Sequence, residues 1–390
     1  MQQYLHDALR NNLRPVIKYC TRPQQKAVSE VVRGLFTEAT PVLRHVAQDK
    51  TKTVKKQAEK YSYHLGNIDV TDEVDALALR KVKSQVRKHT VIAYDLCDIN
   101  KEFSKKIEKM TNVFDGSRRK IAPGFFLHGV GINGILLKFQ VHDNEVHTLS
   151  QIRSKIVGNI SKELKNKGIW VFDRGNDSKT WYRELCQVHE ADFIARVKEN
   201  RYVVLKETGD YLLVKDLEPG MYEVHFMNYH NNKVHTDITY TLIINEHLED
   251  KEPIRLISNL GIDQFTSEEF VTMYLERWGI ENVFKRAKQK FCLEKIRVLS
   301  FRKFKNLVSL IQLATIIATV TFVAIQKSTH AVIVAVVKLY KNFLWHRSLE
   351  QNLDSFIAFM QASLPRLVHR IKLPSDQMSL FSRKCLNRVG

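Results

Sequence analysis

A change of pattern at His89 constrains the fold of this chain more than any other feature of its sequence. From there on, apolar residues occur in short runs that are typical of strands, namely HTVIAYD, GFFLHGVGI and GILLKFQVH. Two further runs, GIWVFD and DFIARVK, alternate with the helical patterns SQIRSKIVGNISKEL and SKTWYRELCQVHE. Three consecutive strands followed by strand–helix–strand units predict a mixed α/β sheet and argue against an all-β sandwich.

The regions around this sheet have patterns of their own. In residues 1–88, apolar residues at three- and four-residue spacing predict several short helices. The clearest of these patterns are KAVSEVVRGLF, TVKKQAEKYSYHL and DEVDALALRKVKSQVRK. Residues 200–252 consist of short alternating segments joined by TGD, EPG and HNNK turns, which predicts a β-rich insertion at an edge of the sheet. The remaining divisions are the two parts of the sheet-forming core, 89–199 and 253–330, and a helical C-terminal region, 331–390.

The net charge of the chain is unevenly distributed. Residues 1–90 carry a net +8 and residues 285–390 a net +15, whereas residues 91–284 carry −4. A slightly acidic middle between two basic flanks favours a polyanionic partner over ordinary solvated surface charge. The five cysteines are scattered without a C-x-x-C pair, which favours neither a zinc cluster nor a disulfide framework and fits a reducing, cytoplasmic setting.

One segment, residues 307–325, has the length of a membrane span and carries no charge. It nevertheless contains serine, glutamine and three threonines, and no second span is obvious elsewhere in the sequence. We therefore predict a buried core helix here and no membrane association.

Acidic residues follow two of the predicted buried strands. Asp95 ends the run HTVIAYD, and Asp173 ends the run GIWVFD. Acids at the carboxyl ends of buried strands lie where open α/β sheets present their ligand sites. Asp98 is an alternative to Asp95, which we favour because it ends the apolar run.

A third acid lies in a predicted helix near residue 280. With about 100° per residue, a helix brings Tyr274, Arg277, Glu281, Lys285 and Lys288 onto one face, with apolar residues on another. Such a face also fits an ordinary amphipathic helix with a solvated Glu–Lys pair. Together with two strand-end acids, however, a helical glutamate would supply oxygen ligands for Mg²⁺ or Mn²⁺.

The segment YLERWGIENVFKRAK, with its Y-x2-R-x3-E-x6-K spacing, and the strand-end motif DRGND resemble the bacterial cut-and-paste DDE transposases of the insertion-sequence-four type. The resemblance covers residues 89–330 approximately. It implies an RNase H-like α/β core with a β-strand insertion between the second aspartate and the glutamate. The strand-rich segment 200–252 lies in that interval.

The resemblance also implies an activity and its residues. Asp95, Asp173 and Glu281 would be the catalytic residues and the ligands of Mg²⁺ or Mn²⁺, with two ions per active site. The chain would bind double-stranded DNA at the terminal inverted repeats of its element, cleave it, and join it to target DNA as a homodimer. The residues implied in DNA binding are Tyr274, Arg277, Lys285, Lys288, Arg196 and Lys198, of which the last two also fit ordinary surface charge.

Two departures from the family pattern limit this resemblance. The insertion contains no tryptophan on which a flipped base could stack, so Phe226, Tyr229 or Tyr240 would have to take that role. Cys97 lies where many relatives have a hydroxyl side chain. An alternative function remains open, namely a transposase-derived DNA-binding protein or repressor that no longer cleaves DNA.

Overall fold

The computed structural model describes residues 2–47, 53–102, 104, 106–115, 119–227, 234–246, 252–327 and 353–367. Its N-terminal part is helical, with α1 (Gln2–Ile17), α2 (Arg22–Thr37), α3 (Leu43–Val46), α4 (Val54–Gly66) and α5 (Thr71–Val82). The three helical patterns named above are present as α2, α4 and α5. Helix α5 ends at Val82, earlier than its sequence pattern predicts.

The first part of the sheet contains β1 (Val91–Asn100), β2 (Thr111–Asp115), β3 (Lys120–Ile132), β4 (Ile135–Val141), β5 (Ile169–Phe172) and β6 (Asp192–Arg196). Helix α6 (Leu149–Leu164) precedes β5, and α7 (Lys179–Gln187) connects β5 to β6. Strands β1, β5 and β6 are parallel neighbours, whereas β2, β3 and β4 pair in antiparallel fashion. The predicted mixed α/β architecture is confirmed.

The segment predicted as an insertion continues the same sheet. It forms β7 (Tyr202–Leu205), β8 (Tyr211–Leu213), β9 (Gly220–Met227) and β10 (Val234–Asn245), and β11 (Ile254–Ser258) follows. Strand β11 pairs with both β6 and β10, so that one 11-stranded sheet runs in the order β2-β3-β1-β5-β6-β11-β10-β9-β7-β8, with β4 on β3.

The sheet is buried on both faces near its centre. Along β5, Ile169 and Val171 belong to one apolar cluster, whereas Trp170 and Phe172 belong to the other, because successive strand side chains point to opposite faces. Helix α8 (Ser267–Leu275) packs on β6, β10 and β11 and contributes to the smaller cluster. Helix α9 (Trp278–Lys290) packs on β1 and β3 and contributes to the larger one.

The prediction of a single helix around residue 280 is therefore wrong, because the helix is interrupted between α8 and α9. At the break, the backbone N–H groups of Arg277, Gly279 and Ile280 each bond to the carbonyl three residues earlier, at 3.0 Å. These tight turns redirect the chain from one apolar cluster to the other. Tyr274 and Glu281 consequently lie on two different helices.

The prediction that the first strand ends at Asp95 is also wrong, because β1 continues to Asn100. Its parallel pairing with β5 ends at Tyr94, opposite Phe172, but its antiparallel pairing with β3 continues as far as Asn100, opposite Gly124. A long partner on one side keeps the backbone extended after the partner on the other side has ended. Asp95 thus lies in the middle of a strand, at the level where β5 stops.

The apolar run at 307–325 lies in α10 (Phe301–Lys327), which is long and apolar enough to cross a membrane. In its most apolar window, however, 83% of the residues are buried inside the protein. Its polar residues bond to neighbouring elements: the Asn306 amide donates to the carbonyls of Leu65 and Ile68, and the Gln312 amide donates to Asp75. This burial agrees with the predicted core helix.

The C-terminal region 331–390 lies mostly outside the described residues. Within it, the structure describes α11 (Leu353–Leu367), which packs on α2, α9 and α10.

Candidate functional site

Two of the three predicted catalytic acids lie side by side where the parallel pairing of β1 with β5 ends. Asp95 and Asp173 directly follow the last β1–β5 pair, which is Tyr94 opposite Phe172. The side chain of Asp95 is only 16% exposed. Parallel pairing therefore brings these two carboxylates, which are separated by 78 positions in the sequence, to the same level of the sheet.

The third acid, Glu281, reaches the same place from α9. This helix buries Ile280, Val283 and Phe284 in the core. It approaches β3 closely because Gly129 has no side chain, since a Cβ there would lie 2.3 Å from the Phe284 ring. Glu281 lies on a more exposed part of the helix, with 39% of its side chain accessible.

Arg277, at the break between α8 and α9, connects two of the acids. One nitrogen of its guanidinium group, Nη1, lies 3.2 Å from Asp95 Oδ2 and 2.8 Å from Glu281 Oε1. The residue is only 7% exposed, and its Nε is a buried donor without a partner among the described residues. Arg277 thus supplies the positive charge between two carboxylates that would otherwise face each other.

The electrostatics show that all three acids interact. Burial raises the pKa of Asp95 to about 7, and the negative charge of Asp173 acts in the same direction. Arg277 opposes this shift, and Glu281 adds to it. Asp95 is therefore a carboxylate whose negative charge is disfavoured by its neighbours and only partly neutralised by Arg277.

Among the residues that the structure describes, no three His, Cys, Asp or Glu side chains are grouped closely enough to hold a metal ion as they stand. The position of Arg277 provides a physical reason, because its guanidinium lies between Asp95 and Glu281. A divalent cation bound by both carboxylates would have to replace this guanidinium.

The DRGND motif forms the loop after β5, and its two ends differ. Asp173 begins a short 3-10 helix (Arg174–Asn176), and its Oδ1 accepts a hydrogen bond of 2.5 Å from the Asn176 amide. Gly175 lets this carboxylate lie against the loop backbone, since a Cβ there would be 3.1 Å from Asp173 Oδ2. The sequence motif therefore includes two residues that orient Asp173.

Asp177, at the other end of the motif, is a structural acid. Its side chain is fully buried and lies 2.9 Å from the Arg201 guanidinium. It also accepts hydrogen bonds from the Tyr182 hydroxyl, at 3.0 Å, and from the Lys198 backbone N–H, at 2.9 Å. These bonds fix the loop to α7 and to the segment after β6.

The residues predicted to bind DNA have different environments. Tyr274 is only 3% exposed, and its ring lies 5.7 Å from the Arg277 guanidinium, so it is a buried neighbour of Arg277 and presents little surface to a ligand. Lys288 lies 3.4 Å from Glu294 and 3.8 Å from the alternative acid Asp98. Lys285 is exposed on α9, one turn beyond Glu281.

Arg196 and Lys198 lie at the end of β6. The last β5–β6 pair is Phe172 opposite Ala195, so Arg196 follows at the same level as Asp173, one strand further along the sheet. Arg196 is half-buried, and Lys198 is exposed. The acids and these two basic residues thus occupy one end of three adjacent parallel strands.

The proposed base-stacking residues do not fit that role. Phe226 and Tyr240 are 3% and 4% exposed and pack in an aromatic cluster with Tyr182 and Phe193. They are wrong as stacking candidates, because their rings already have partners in the core. Tyr229 lies outside the described residues.

Sequence reasoning missed several residues that shape this site. Asn176 and Asp177 are part of the motif DRGND, and their polarity inside a short strand-end motif was an available signal. Arg153 on α6 donates from Nη1 to Asn176 Oδ1 at 2.8 Å, but nothing in its local sequence indicates this contact. The hydroxyl of Tyr94, the residue before Asp95 on β1, bonds to His128 Nδ1 at 2.7 Å, a contact between residues 34 positions apart.

Part of this chain is similar in sequence to a known protein family. Residues 129–317, just under half of the chain, match a family described as "Transposase DDE domain"; this span contains Asp173 and Glu281 and begins after Asp95. No curated protein matches the chain. Among solved structures, a piggyBac transposase in a synaptic complex with hairpin DNA is similar with a TM-score of 0.40 and 10% identity, over 86% of this chain and 61% of that chain.

Proposed function

We propose, from a domain match that supports a DDE transposase family, that this chain binds DNA ends and catalyses their metal-dependent cleavage and strand transfer. One observation carries the proposal: Asp95 and Asp173 directly follow the last residues of the parallel β1–β5 pairing, and Arg277 bridges Glu281 and Asp95. Burial, together with the charges of Asp173 and Glu281, disfavours the ionised form of Asp95, which is unfavourable for folding alone and suits a site for cations.

We assign the core to the RNase H-like class within the insertion-sequence-four type of these enzymes. The support is the strand arrangement, in which antiparallel β4, β3 and β1 are followed by parallel β5 and β6. Strands β7 to β10 extend this sheet through β11, between the second acid and the third. The Y-R-E-K spacing supports the finer assignment, although its tyrosine is buried.

The donor set fits Mg²⁺ or Mn²⁺, because these cations prefer carboxylate oxygens. Asp95, Asp173 and Glu281 would hold two ions, which would activate the attacking oxygen and stabilise the leaving oxygen in phosphoryl transfer. The raised pKa of Asp95 supports this fit, since added positive charge would favour its ionised form.

Arg277 would then change partners. While the carboxylates are without a cation, its guanidinium bridges Asp95 and Glu281. Released from them, it lies close to the place where the cleaved strand would bind, and a guanidinium matches the geometry of a phosphate group. Tyr274 packs beside it and would orient it from within the core.

Other basic residues would hold the DNA backbone on either side of the acids. Lys285 and Lys288 project from α9, and Arg196 and Lys198 lie beyond Asp173 at the end of β6. The nine basic residues and one acid of 285–305 would continue this track. Phosphate contacts of this kind position DNA without reading its sequence.

The partners would be double-stranded DNA, namely element ends and target DNA, and a second copy of the chain in a synaptic complex. The basic N-terminal helices would bind the ends. The second candidate, a DNA-binding protein that no longer cleaves, is less well supported, because all three acids are present and face the same place.

The test uses linear DNA that carries both flanks of the gene, incubated with purified full-length protein and Mg²⁺ or Mn²⁺. Wild-type protein should release the element ends and join their 3′-hydroxyl groups to target DNA, whereas Glu281→Gln should do neither. Glu276→Gln is the matched control, since Glu276 is an exposed acid five residues earlier. Tight end binding by the wild type without any metal-dependent product would favour the repressor, and release without joining would indicate a nuclease.

A further inference from the structure

The amide of Asn176 connects Asp173 to an arginine on a distant helix. Its Nδ2 donates to Asp173 Oδ1 at 2.5 Å, while its Oδ1 accepts from Arg153 Nη1 at 2.8 Å. Arg153 lies on α6, which precedes β5, whereas Asp173 and Asn176 lie in the loop that follows β5, so the connection joins the two segments that flank this strand.

This chain of hydrogen bonds has only one satisfactory orientation. A guanidinium group offers donors and no acceptor, whereas an ionised carboxylate offers acceptors and no donor. The amide of Asn176 must therefore turn its oxygen to Arg153 and its nitrogen to Asp173. One carboxylate oxygen of Asp173 is fixed in this way, and its other oxygen, Oδ2, makes no hydrogen bond within the part of the chain that the structure describes.

Arg153 is held in place independently of Asn176. Its guanidinium lies 4.1 Å from the ring of Trp181, which is 1% exposed, and a stacked arginine of this kind is rigid. Its Nε is a buried donor that lacks a partner among the described residues. A buried donor without a partner destabilises the fold, so packing alone gives no reason for an arginine at this position.

We propose that Arg153 is a positioning residue for the metal site: through the Asn176 amide, it holds one oxygen of Asp173 and leaves the other oxygen directed to a divalent cation. The inference rests on the proposed function, because it concerns the same three acids. Residues that hold a metal-binding carboxylate by hydrogen bonds commonly change metal affinity about 10- to 100-fold when they are replaced.

The positive charge of Arg153 and a positioning role of Arg153 have opposite effects on the binding of a cation. Arg153 is positively charged, so its removal should by electrostatics alone strengthen the binding of a cation nearby. A positioning role predicts the opposite, since Asp173 would lose its fixed orientation. Lys155→Met is the matched control, because Lys155 is an exposed cation two residues away on the same helix and contacts neither Asn176 nor Asp173.

The experiment titrates full-length protein with Mn²⁺ and follows the free ion by electron paramagnetic resonance, counting only the sites lost in Glu281→Gln. Arg153→Met and Asn176→Ala should each weaken Mn²⁺ binding about 10-fold or more. The double variant should be no weaker than Asn176→Ala alone, because both residues act through one hydrogen-bonded chain. Arg153→Lys, which retains a donor, should recover part of the affinity, and Lys155→Met should bind Mn²⁺ at least as tightly as the wild type.

Thermal melting of each variant shows that it is folded before it is titrated, and Arg153→Ala replaces Arg153→Met in the comparison if the latter does not fold. Unchanged or tighter Mn²⁺ binding by the folded Arg153 variant would overturn this inference and leave the proposed function standing. Additive losses in the double variant would also overturn it. A wild-type protein without any Glu281-dependent Mn²⁺ site would overturn both the inference and the proposed function.

Discussion

Two carboxylates in this protein are paired with an arginine, and they are paired in opposite ways. Asp177 is fully buried and has Arg201 to itself, together with the Tyr182 hydroxyl and the Lys198 backbone N–H. Asp95 must share Arg277 with Glu281 and lies beside Asp173. Asp177 therefore accepts hydrogen bonds from three different residues, whereas Asp95 has two acidic neighbours and shares a single arginine with one of them.

The difference distinguishes an acid that stabilises the fold from acids that, under the proposed function, would bind a cation. A fully bonded buried ion pair fixes a loop, and removal of one partner is costly because the other charge stays buried. An acid whose ionised form is disfavoured by burial and by acidic neighbours, such as Asp95, reduces stability at neutral pH until a cation joins it. The comparison predicts that replacing Asp177 harms folding, while replacing Asp95 harms activity and spares folding.

The largest expected effect is the loss of DNA cleavage in Asp95→Asn. The variant keeps the shape of the side chain but lacks the charge that a divalent cation requires, so the rate of DNA-end cleavage should fall about 10³-fold or more. Its circular dichroism spectrum should be unchanged, because Asn can still accept a hydrogen bond from Arg277. Near-normal cleavage by this variant would show that Asp95 is not a catalytic residue, and Asp98 would then be the candidate for the first acid.

The next effect concerns the structural pair. Arg201→Met leaves Asp177 buried without its cation and should lower the free energy of unfolding by about 3–5 kcal/mol, as measured in urea. Asp237→Ala is the matched control, since the Asp237–Arg183 pair is about 40% exposed and its loss should lower the free energy of unfolding by less than about 1 kcal/mol. Equal effects of the two substitutions would contradict the structural role of Asp177.

An effect of similar size is the pH dependence of stability in the absence of divalent cations. The pKa of Asp95 is raised to about 7, so the folded state binds more protons than the unfolded state between about pH 4 and pH 7. Stability due to this group is present below about pH 4 and is lost as the pH rises through that range, by about 1.4 kcal/mol for each pH unit that separates the unfolded pKa from the folded pKa.

Asp95→Asn should therefore be more stable than the wild type at about pH 8 in EDTA, and this gain should largely disappear at about pH 4. Urea denaturation at both pH values measures the difference, with Glu276→Gln as an exposed-acid control that shows no such trend. If the variant is less stable than the wild type at the higher pH, Asp95 stabilises the fold as Asp177 does, and the proposed difference between the two acids is contradicted.

The smallest expected effect concerns an exposed lysine near the acids. Lys285→Gln should weaken binding to DNA ends several-fold and reduce the slope of log affinity against log salt by about 1, because one phosphate contact is lost. Lys167→Gln is the control, since Lys167 is exposed but precedes β5 at the opposite end of the strand from Asp173. Identical slopes of log affinity against log salt for the two variants would show that Lys285 does not contact DNA.

Local patterns in the sequence predict much of this architecture. Alternation and run length identify β1, β3, β4, β5 and β6, and polar residues inside the apolar run at 307–325 distinguish a core helix from a membrane span. The positions of Asp173 after a buried strand and of Glu281 on a helix also follow from local sequence. These features depend on neighbours that are close along the chain.

The rest depends on partners that are distant along the chain. Strand β1 continues beyond Asp95 because β3 remains paired with it, and the sequence near Asp95 does not indicate this pairing. The helix breaks after Leu275 because its two halves pack in different apolar clusters. That break leaves Tyr274 in the smaller apolar cluster and places Glu281 on a separate helix.

The measurement that tests the central claim most directly is a crystal structure with Mn²⁺, using the anomalous scattering of the ion. We expect anomalous density about 2 Å from carboxylate oxygens of Asp95, Asp173 and Glu281, with the Arg277 guanidinium displaced from its bridging position. Density at other sites only, with Arg277 still bonded to Asp95 and Glu281 at saturating Mn²⁺, would contradict the account.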